Sequence, residues 1–458
     1  MPNLDLSKII KAYDIRGLVD TEFTESLVSD VGKAMVEVLR IRKSDGGPGA
    51  VVMGRDMRPS GVKFAKAMTD AVISAGVDVV DIGLASTDQL YFASGSLDLP
   101  GIMLTASHNP ASYNGIKLCK AGAAPVGEST GLAEISKLIQ TSIPQVVTQP
   151  GKLTHRDLLQ DYARYLRALA GISSVRPLKI VVDAGNGMAG HTAPAVLDIE
   201  GLEVIPMYFE LDGNFPNHDA NPIDPKNLID LQKAVLTHNA DLGMAFDGDA
   251  DRCFLVDNLG KLVPPSALTA LIAASELQKF PGSAIVHNLI CSKAVPEVIS
   301  ECGGTAIRTR VGHSFIKQVM AETNAVFGGE HSGHFYFREF WRADSGMLAA
   351  LYALVALDNS AGKTFAQLLT NFDRYPQSGE INSEVPNVQE AILRVRADML
   401  ANHEFDELDG LTITAPTWWV NVRPSNTEPL VRLNAEADDA ATLNEVVTQA
   451  LTAIRDFE

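Results

Sequence analysis

Cysteine is scarce in this sequence, and the few that occur do not form a recognisable framework. The four cysteines lie far apart, without CxxC spacing, at positions 119, 253, 291 and 302. Neither a disulfide scaffold nor a cysteine zinc site is predicted from such spacing. The first residues, which include Asp5, lack the apolar region of a secretion signal. We therefore expect a reducing compartment, the cytoplasm.

Basic residues are fewer than acidic ones, with 38 Lys and Arg against 56 Asp and Glu, which gives a net charge of −18. This excess argues against nucleic acid or an anionic membrane as the main partner, although a local cluster of Arg and Lys can still bind a small anion. The longest apolar run, residues 347–357, is shorter than the roughly 20 residues that span a bilayer. We predict a buried helix there.

The order of elements near the N-terminus predicts an α/β fold. Residues 50–53 are typical of a strand, residues 62–75 have apolar side chains near helical spacing, and residues 77–82 are typical of a second strand. A strand, helix and strand in succession predict a parallel sheet.

The length of 458 residues exceeds one compact core and suggests about three domains, with room for a fourth. Prolines 144 and 150 mark a first boundary, and strand-like runs at 178–182 and 283–286 fall in later modules. From about residue 371 the pattern changes again. The predicted domains are residues 1–148, 149–258, 259–370 and 371–458.

Ser107 lies just beyond a predicted strand, residues 102–104, which ends before Asn109 and Pro110. The ends of parallel strands are where open α/β sheets place ligands and reacting groups. An ordinary turn serine that bonds a neighbouring amide is the simpler alternative.

Three carboxylates follow the predicted strand 240–246 at every second position: Asp247, Asp249 and Asp251. Such concentrated charge calls for neutralisation, and a hard divalent cation is the usual partner. An EF-hand is excluded because Arg252 and Asn258 occupy positions that need Gly and Glu. Three carboxylates leave coordination positions of a bound Mg²⁺ open, and a phosphate oxygen could fill one of them. A solvated acidic turn is the alternative.

Two further loops carry polar side chains suited to ligands. Residues 329–334, Gly-Glu-His-Ser-Gly-His, offer donors and acceptors for hydroxyl groups, with zinc as a weaker alternative. Residues 423–429, Arg-Pro-Ser-Asn-Thr-Glu-Pro, could form an anion cradle or a plain turn. For the arginine-containing loops at 11–17 and 54–60, solvated charge is the simplest expectation.

Residues 185–190 match GxGxxG after a strand, with Glu210 about 20 residues further on, as in dinucleotide sites. Asp183 precedes the first glycine and would repel a pyrophosphate at the helix N-terminus. We favour a tight strand-to-helix turn over nicotinamide binding.

Four of these segments together resemble the α-D-phosphohexomutase superfamily, in its phosphomannomutase/phosphoglucomutase branch. They occur in the family's order over nearly the whole chain: residues 105–110, 247–252, 329–334 and 423–429. The resemblance implies three related mixed or parallel α/β domains and a smaller C-terminal α+β domain around a central cleft. It also implies reversible phosphate transfer between O6 and O1 of a hexose phosphate, through a phosphoserine and a hexose 1,6-bisphosphate.

The resemblance also implies roles for particular residues. Ser107 would carry the phosphate and bind Mg²⁺ together with Asp247, Asp249 and Asp251. The catalytic group would further include Arg16, His108, Lys117 and His334, with proton transfer assigned to Lys117 and His334. The substrate-binding group would comprise Arg252, Gly312, His313, Glu330, Ser332, Arg423, Ser425, Asn426 and Thr427.

Several functions stay open at this point. Phosphoglucosamine mutase is the nearest alternative, and His331, where the branch varies, is given no role. A metal-dependent sugar phosphatase would pass the phosphate to water, and an oxidoreductase or a non-catalytic binding protein would differ in class. We expect sugar phosphates as partners and a monomer or weak homo-oligomer.

Overall fold

The computed structural model describes residues 6–144, 149–401, 403–425 and 430–456. The chain divides into two compact units, each formed from two segments. The first unit comprises residues 1–263 and 332–367, and the second comprises residues 264–331 and 368–458.

The first unit opens with a mixed sheet in the order β1-β5-β4-β2-β3-β7, with β6 paired to β5. Its strands are β1 Ile15–Leu18, β2 Ala50–Arg55, β3 Asp78–Leu84, β4 Gly101–Leu104, β5 Tyr113–Lys120, β6 Ala124–Pro125 and β7 Leu153–His155. The helices of this region are α1 Glu25–Val38, α2 Gly61–Ser74, α3 Thr87–Leu97 and α4 Leu132–Thr141. Strands β4, β2, β3 and β7 are parallel, as the alternating sequence pattern predicts.

The loops that matter for function leave this sheet at one edge. The carboxyl ends of parallel strands lie on the same side of a sheet. Residues that follow β2, β3 and β4 therefore come close together, including Arg58, Thr87 and Ser107.

A second mixed sheet follows in the order β12-β11-β10-β8-β9. Its strands are β8 Ser174–Asp183, β9 Glu200–Met207, β10 Leu242–Phe246, β11 Cys253–Asp257 and β12 Leu262–Val263, and its helices are α5 Leu159–Ala170, α6 Ala189–Val196 and α7 Ile229–His238. Every residue of β10 is buried, which explains its continuous apolar sequence. The acidic residues 247–251 form the connection from β10 to its antiparallel neighbour β11.

The next segment contributes to both units. Its strands are β13 Ala284–Asn288, β14 Thr305–Thr309, β15 Phe327–Gly329, β16 Phe335–Phe337 and β17 Ala343–Asp344, and its helices are α8 Pro265–Lys279, α9 Ala294–Glu301, α10 His313–Thr323 and α11 Gly346–Asp358. Strand β13 is parallel to β14 and β15. The predicted apolar helix is α11, and it is largely buried. Among the described residues, no helix is both long and apolar enough to cross a membrane.

The C-terminal region is an antiparallel sheet on which helices α13 and α14 pack. Its strand order is β18-β22-β21-β20-β19, with β18 Ile381–Glu384, β19 Glu404–Asp406, β20 Leu411–Thr414, β21 Trp418–Pro424 and β22 Leu430–Ala437. The helices are α12 Phe365–Leu369, α13 Val388–Met399 and α14 Ala440–Arg455. The predicted α/β fold with a smaller α+β domain at the C-terminus is confirmed.

Helix α2 offers a test of the first core. Phe64 is fully buried and makes an edge-to-face contact with Phe23 at 4.8 Å, whereas Val62 on the same helix is 60% exposed. We expect Phe64→Ala to lower the free energy of unfolding by about 3–5 kcal/mol because it leaves a cavity. Val62→Ala should change it by less than about 0.5 kcal/mol. Urea unfolding monitored by circular dichroism measures both, and equal effects would contradict this packing.

Candidate active site

Ser107 lies in the loop after β4, with a left-handed backbone φ of 50°. Few residues other than glycine adopt this conformation, so surrounding contacts must hold it. The backbone N–H of Ser107 donates to the Thr105 hydroxyl at 2.8 Å. The Ser107 carbonyl accepts a bond of 2.9 Å from Arg58, which also donates to the Asn109 carbonyl at 2.6 Å. These bonds fix the direction of the serine hydroxyl.

The expectation that the nearby arginines are solvated is wrong. Arg58 is fully buried and pairs with Asp56 at 3.1 Å. The Arg16 side chain is 19% exposed, pairs with Asp14 at 2.7 Å, and donates to the side chain of Asn109 at 2.6 Å. A guanidinium group has five N–H donors, and those of Arg16 and Arg58 that are not paired with aspartate donate to groups of the serine loop. Both arginines therefore stabilise this loop.

Asp247, Asp249 and Asp251 form a buried cluster whose potential ligand oxygens lie within 4.8 Å of one another. Lys117 Nζ lies 2.7 Å from Asp249 and 2.6 Å from Asp251. One buried oxygen on each of these two carboxylates, Oδ1, accepts no hydrogen bond from the described residues. Buried oxygens without donors and an all-carboxylate set fit a hard divalent cation such as Mg²⁺.

Ser107 and the acidic cluster are in direct contact. The Ser107 hydroxyl donates to Asp247 Oδ2 at 2.9 Å, and Arg252 Nε donates to the same oxygen at 2.8 Å. Arg252 Nη2 also lies 3.4 Å from Ser107 Oγ. A hydroxyl, a carboxylate cluster and a guanidinium group thus converge on one point, as the sequence motifs predict.

Glycine is required where the acidic loop meets the serine loop. A Cβ on Gly248 would lie 2.5 Å from the Ser107 carbonyl oxygen, and a Cβ on Gly187 would lie 2.7 Å from the Gly248 carbonyl oxygen. Three backbone segments therefore approach one another at van der Waals distance. The close approach lets the carboxylates reach the serine.

Buried charge shifts the ionisation of this cluster. Burial raises the pKa of Asp247 to about 7, and Arg252 opposes that rise. Burial also opposes ionisation of Asp249, but Lys117, the Thr87 hydrogen bond and the Arg16 charge together outweigh it and hold the pKa of Asp249 below its usual value. The Asp249 and Asp251 carboxylates keep the pKa of Lys117 well above its usual value despite burial. Lys117 is therefore an ammonium ion here.

His108 lies beside the serine as a neutral ring. Its Nδ1 is 3.3 Å from Ser107 Oγ and accepts a close hydrogen bond from Arg252 Nη2. Burial, together with the Arg252 charge, lowers the pKa of His108 well below its usual value. A neutral ring can accept this hydrogen bond from Arg252 without bringing a second positive charge beside it.

His334 lies in the first unit, beside the carboxylates of Asp344 and Asp251. Its Nδ1 is 3.1 Å from Asp344 Oδ2 and 3.9 Å from Asp251 Oδ1. Burial lowers the pKa of His334, but Asp251 and Asp344 outweigh it and the net shift is upward. The structure thus brings His334 to the acidic cluster together with Ser107, His108, Lys117, Arg16 and Arg252.

The second unit contains most of the other predicted ligand-binding residues. Glu330 is 2% exposed, and its Oε2 accepts from the Gly312 backbone N–H at 3.2 Å and from Asn288 at 3.4 Å. Ser332 follows in the sequence, is partly exposed, and belongs to the first unit. Gly312 has a φ of 132°, which favours glycine at this point before α10.

Arg423 and Ser425 lie beside a partly buried network around Glu380. The carboxylate of Glu380 is 2.6 Å from Arg423 and 3.1 Å from Arg432, and it lies 3.7 Å from His331. Arg432 also donates to the Ser425 hydroxyl at 3.1 Å. Burial raises the pKa of Glu380, but His331 and the two arginines outweigh it, so that its pKa falls to about 2. Arg423 and Arg432 together carry more positive charge than the Glu380 carboxylate neutralises, so this part of the second unit is locally positive.

Three predicted residues stay predictions. Asn426 and Thr427 lie outside the described residues, and so does the side chain of His313.

The backbone N–H groups of Gly185 and Met188, in the GxGxxG segment, donate hydrogen bonds to other groups of the protein. The Gly185 N–H donates to Asp183 Oδ1 at 2.9 Å, and Asp183 Oδ2 is 3.0 Å from His218 Nε2. The Met188 N–H donates to the Gly248 carbonyl at 2.9 Å. These glycines support the acidic loop, which agrees with the tight turn that we favoured.

Several residues that contact predicted site residues are not evident from the sequence: Arg58 and Asp56 as buried groups, Thr87 and Asp344 in the first unit, and Glu380 in the second unit. Arg58 and Thr87 follow parallel strands, as Ser107 does. Their position after a strand end was the available signal. Asp344 and Glu380 had none, because their partners lie far away in the sequence.

Comparison with known proteins gives matches over nearly the whole chain. Residues 7–145, 160–260 and 264–375 match phosphoglucomutase/phosphomannomutase alpha/beta/alpha domains I, II and III, and residues 380–453 match the C-terminal domain of the same family. A phosphomannomutase of Escherichia coli K12 is 38% identical, over 97% of this chain and 98% of the relative. A protein named phosphohexose mutases from Xanthomonas campestris pv. campestris is 39% identical, over 96% and 98%.

A solved structure is also similar. The phosphoglucomutase/phosphomannomutase family protein of Burkholderia thailandensis has a TM-score of 0.86 and 33% identity, over 98% of both chains. The predicted fold, family and enzyme class are confirmed by these matches. The chain belongs to the phosphoglucomutase/phosphomannomutase family, within the α-D-phosphohexomutase superfamily.

Proposed function

We propose that this protein interconverts the 6-phosphate and 1-phosphate of a hexose, mannose first and glucose also, with Ser107 as the phosphoryl carrier. One observation carries this assignment: the Ser107 hydroxyl lies 2.9 Å from Asp247 in a buried acidic cluster flanked by Lys117 and Arg252. The names of the similar proteins, phosphomannomutase and phosphohexose mutases, agree with this substrate class.

The cation site would be formed by Ser107 together with the three carboxylates of the cluster. When bound, Mg²⁺ would supply positive charge next to the transferring phosphoryl group. Lys117 and Arg252 add positive charge at the same place, since Lys117 bonds Asp249 and Asp251 and Arg252 bonds Asp247. Charge stabilisation of this kind is the main contribution that proteins make to phosphoryl transfer.

In the proposed step, a sugar hydroxyl attacks the phosphorus on Ser107. The bond from phosphorus to the serine oxygen breaks, and a bond from phosphorus to the sugar oxygen forms. The hydroxyl proton passes to a base, for which we propose His334, and the serine oxygen regains a proton from an acid, for which we propose Lys117. Lys117 lies at the same acidic cluster as Ser107, because its ammonium group bonds Asp249 and Asp251 while the Ser107 hydroxyl bonds Asp247.

The hexose 1,6-bisphosphate that results must return its other phosphate to Ser107. A loop that binds the distal phosphate must therefore serve both orientations of the sugar. We assign that role to Arg423, Ser425, Asn426 and Thr427, and we assign the sugar hydroxyls to Glu330 and Ser332. Added hexose 1,6-bisphosphate would act as an activator, because it can phosphorylate Ser107. A cytoplasmic monomer or weak homo-oligomer fits this role.

Substitution of the proposed carrier gives the first test. With hexose 1,6-bisphosphate present, Ser107→Ala should lose several orders of magnitude in mutase activity on mannose 1-phosphate, because the acceptor oxygen is gone. Ser129→Ala, an exposed serine in a surface turn, should keep wild-type activity. Near-normal activity of the Ser107 variant would rule out this mechanism. Steady release of inorganic phosphate by the wild type, at the rate of substrate loss, would instead indicate a phosphatase.

The close approach at Gly248 generates a second prediction. Gly248→Ala would force its Cβ against the Ser107 carbonyl, so the carboxylates and the serine must move apart. A displacement of about 1 Å can cost on the order of 100-fold in rate, and we expect that loss in kcat. Gly61→Ala is the matched control, because the nearest atom to its Cβ is 3.7 Å away. Equal activity of both variants would show that the approach is not needed.

Removal of divalent cations gives a third prediction. Dialysis against a chelator should abolish turnover, and added Mg²⁺ should restore it in the wild type. Asp249→Asn should need a higher Mg²⁺ concentration for half of its maximal rate, because one carboxylate charge is lost. Turnover that persists after complete removal of cations would contradict the proposed site.

A further inference from the structure

Helix α3 begins beside the acidic cluster, and its first residue is in contact with one carboxylate. Thr87 is fully buried. Its backbone N–H donates to the Asp249 carbonyl at 3.0 Å, and its hydroxyl donates to Asp249 Oδ2 at 2.6 Å. Thr87 therefore holds both the main chain and the side chain of the same aspartate.

The two oxygens of Asp249 differ in their surroundings. Oδ2 accepts from Thr87 and also from Lys117, at 2.7 Å. Oδ1 is buried and accepts no hydrogen bond from any residue that the structure describes. The two donors on Oδ2 fix the rotation of the carboxylate, so Oδ1 is the oxygen that can bind a cation.

The start of α3 is itself held on two sides, which keeps the Thr87 hydroxyl in place. Asp88 is fully buried and accepts from the Tyr162 hydroxyl of α5 and from the Ser345 hydroxyl at the start of α11, each at 2.7 Å. Ser86, which caps α3, donates to the other oxygen of Asp88. Three segments that are far apart in the sequence therefore fix the helix terminus.

We propose that Thr87 is a positioning residue for the divalent cation, because its hydroxyl orients Asp249 with Oδ1 free for coordination. The inference rests on the proposed function, which places the cation among these carboxylates. Hydrogen-bond partners of metal ligands typically change metal affinity by about 10–100-fold when they are removed. The role differs from catalysis, since Thr87 would act through Asp249 and need not touch the sugar phosphate.

The test is direct binding of Mn²⁺ to the full-length protein, followed by the electron paramagnetic resonance signal of free Mn²⁺. Thr87→Val keeps the branched shape and the backbone N–H but removes the hydroxyl, and it should weaken Mn²⁺ binding by about 10–100-fold. Thr87→Ser keeps the hydroxyl and should retain most of the affinity. Thr269→Val is the control, because Thr269 is equally buried and its hydroxyl bonds the Pro265 carbonyl of its own helix, α8.

Activity gives a second readout of the same role. High Mg²⁺ should restore the kcat of Thr87→Val, because only the metal affinity is impaired. If Thr87→Val does not fold, as judged by circular dichroism, the pair Thr87→Ser and Thr87→Ala makes the same comparison, with weaker Mn²⁺ binding expected for alanine.

The outcomes separate the inference from the proposed function. If the wild type binds Mn²⁺ and a folded variant without the hydroxyl binds it equally well, the Thr87 inference is wrong while the cation site stands. If the wild type does not bind Mn²⁺, the cation site itself is wrong and the inference falls with it.

Discussion

The structure of this site depends on the cost of burying three carboxylates in one short loop. An unpaired buried charge is strongly destabilising, and several like charges raise that cost further. Lys117 and Arg252 neutralise part of the charge, and Thr87 hydrogen-bonds Asp249. The compensation is incomplete, because Oδ1 of Asp249 and of Asp251 accepts no hydrogen bond among the described residues. Carboxylate oxygens that are buried without donors favour the binding of a cation. A phosphorylated serine beside them would add a further oxygen ligand.

The backbone geometry follows from the same requirement. The Ser107 backbone is left-handed, and this conformation directs the hydroxyl towards Asp247. Arg58 holds the loop in place by donating hydrogen bonds to several of its carbonyl groups. The acidic loop can approach only because residue 248 is glycine. The GxGxxG turn supports that loop from its other side through Met188 and Gly187. Glycines that look like a nucleotide-binding signature here provide close backbone packing.

Much of the fold was predictable because local rules govern it. Apolar runs such as β10 and the alternating order of β2, α2 and β3 reflect burial and chain connectivity that can be read along the sequence. Ser107 and the aspartates were identified because they follow strand ends. That they share one site could be predicted only from the resemblance, because four motifs occur in the order of the family. Periodicity alone does not show which loops meet.

The remaining features depend on contacts between distant residues. Arg58 was assigned to solvent because arginine is usually exposed, whereas its partners, the carbonyls of residues 107–113, become acceptors only when the loop is folded. The link from Asp88 to Tyr162 and Ser345 joins segments far apart in the chain. Each of these residues has an ordinary sequence context, so only the three-dimensional arrangement shows its role.

Storage of a phosphoryl group on Ser107 can be checked by locating that group on the protein. The purified protein would be incubated with hexose 1,6-bisphosphate, and its intact mass and peptide fragments would be measured by mass spectrometry. We expect the added mass of one phosphoryl group, confined to Ser107. An unmodified chain, or a phosphate on another residue, would contradict it.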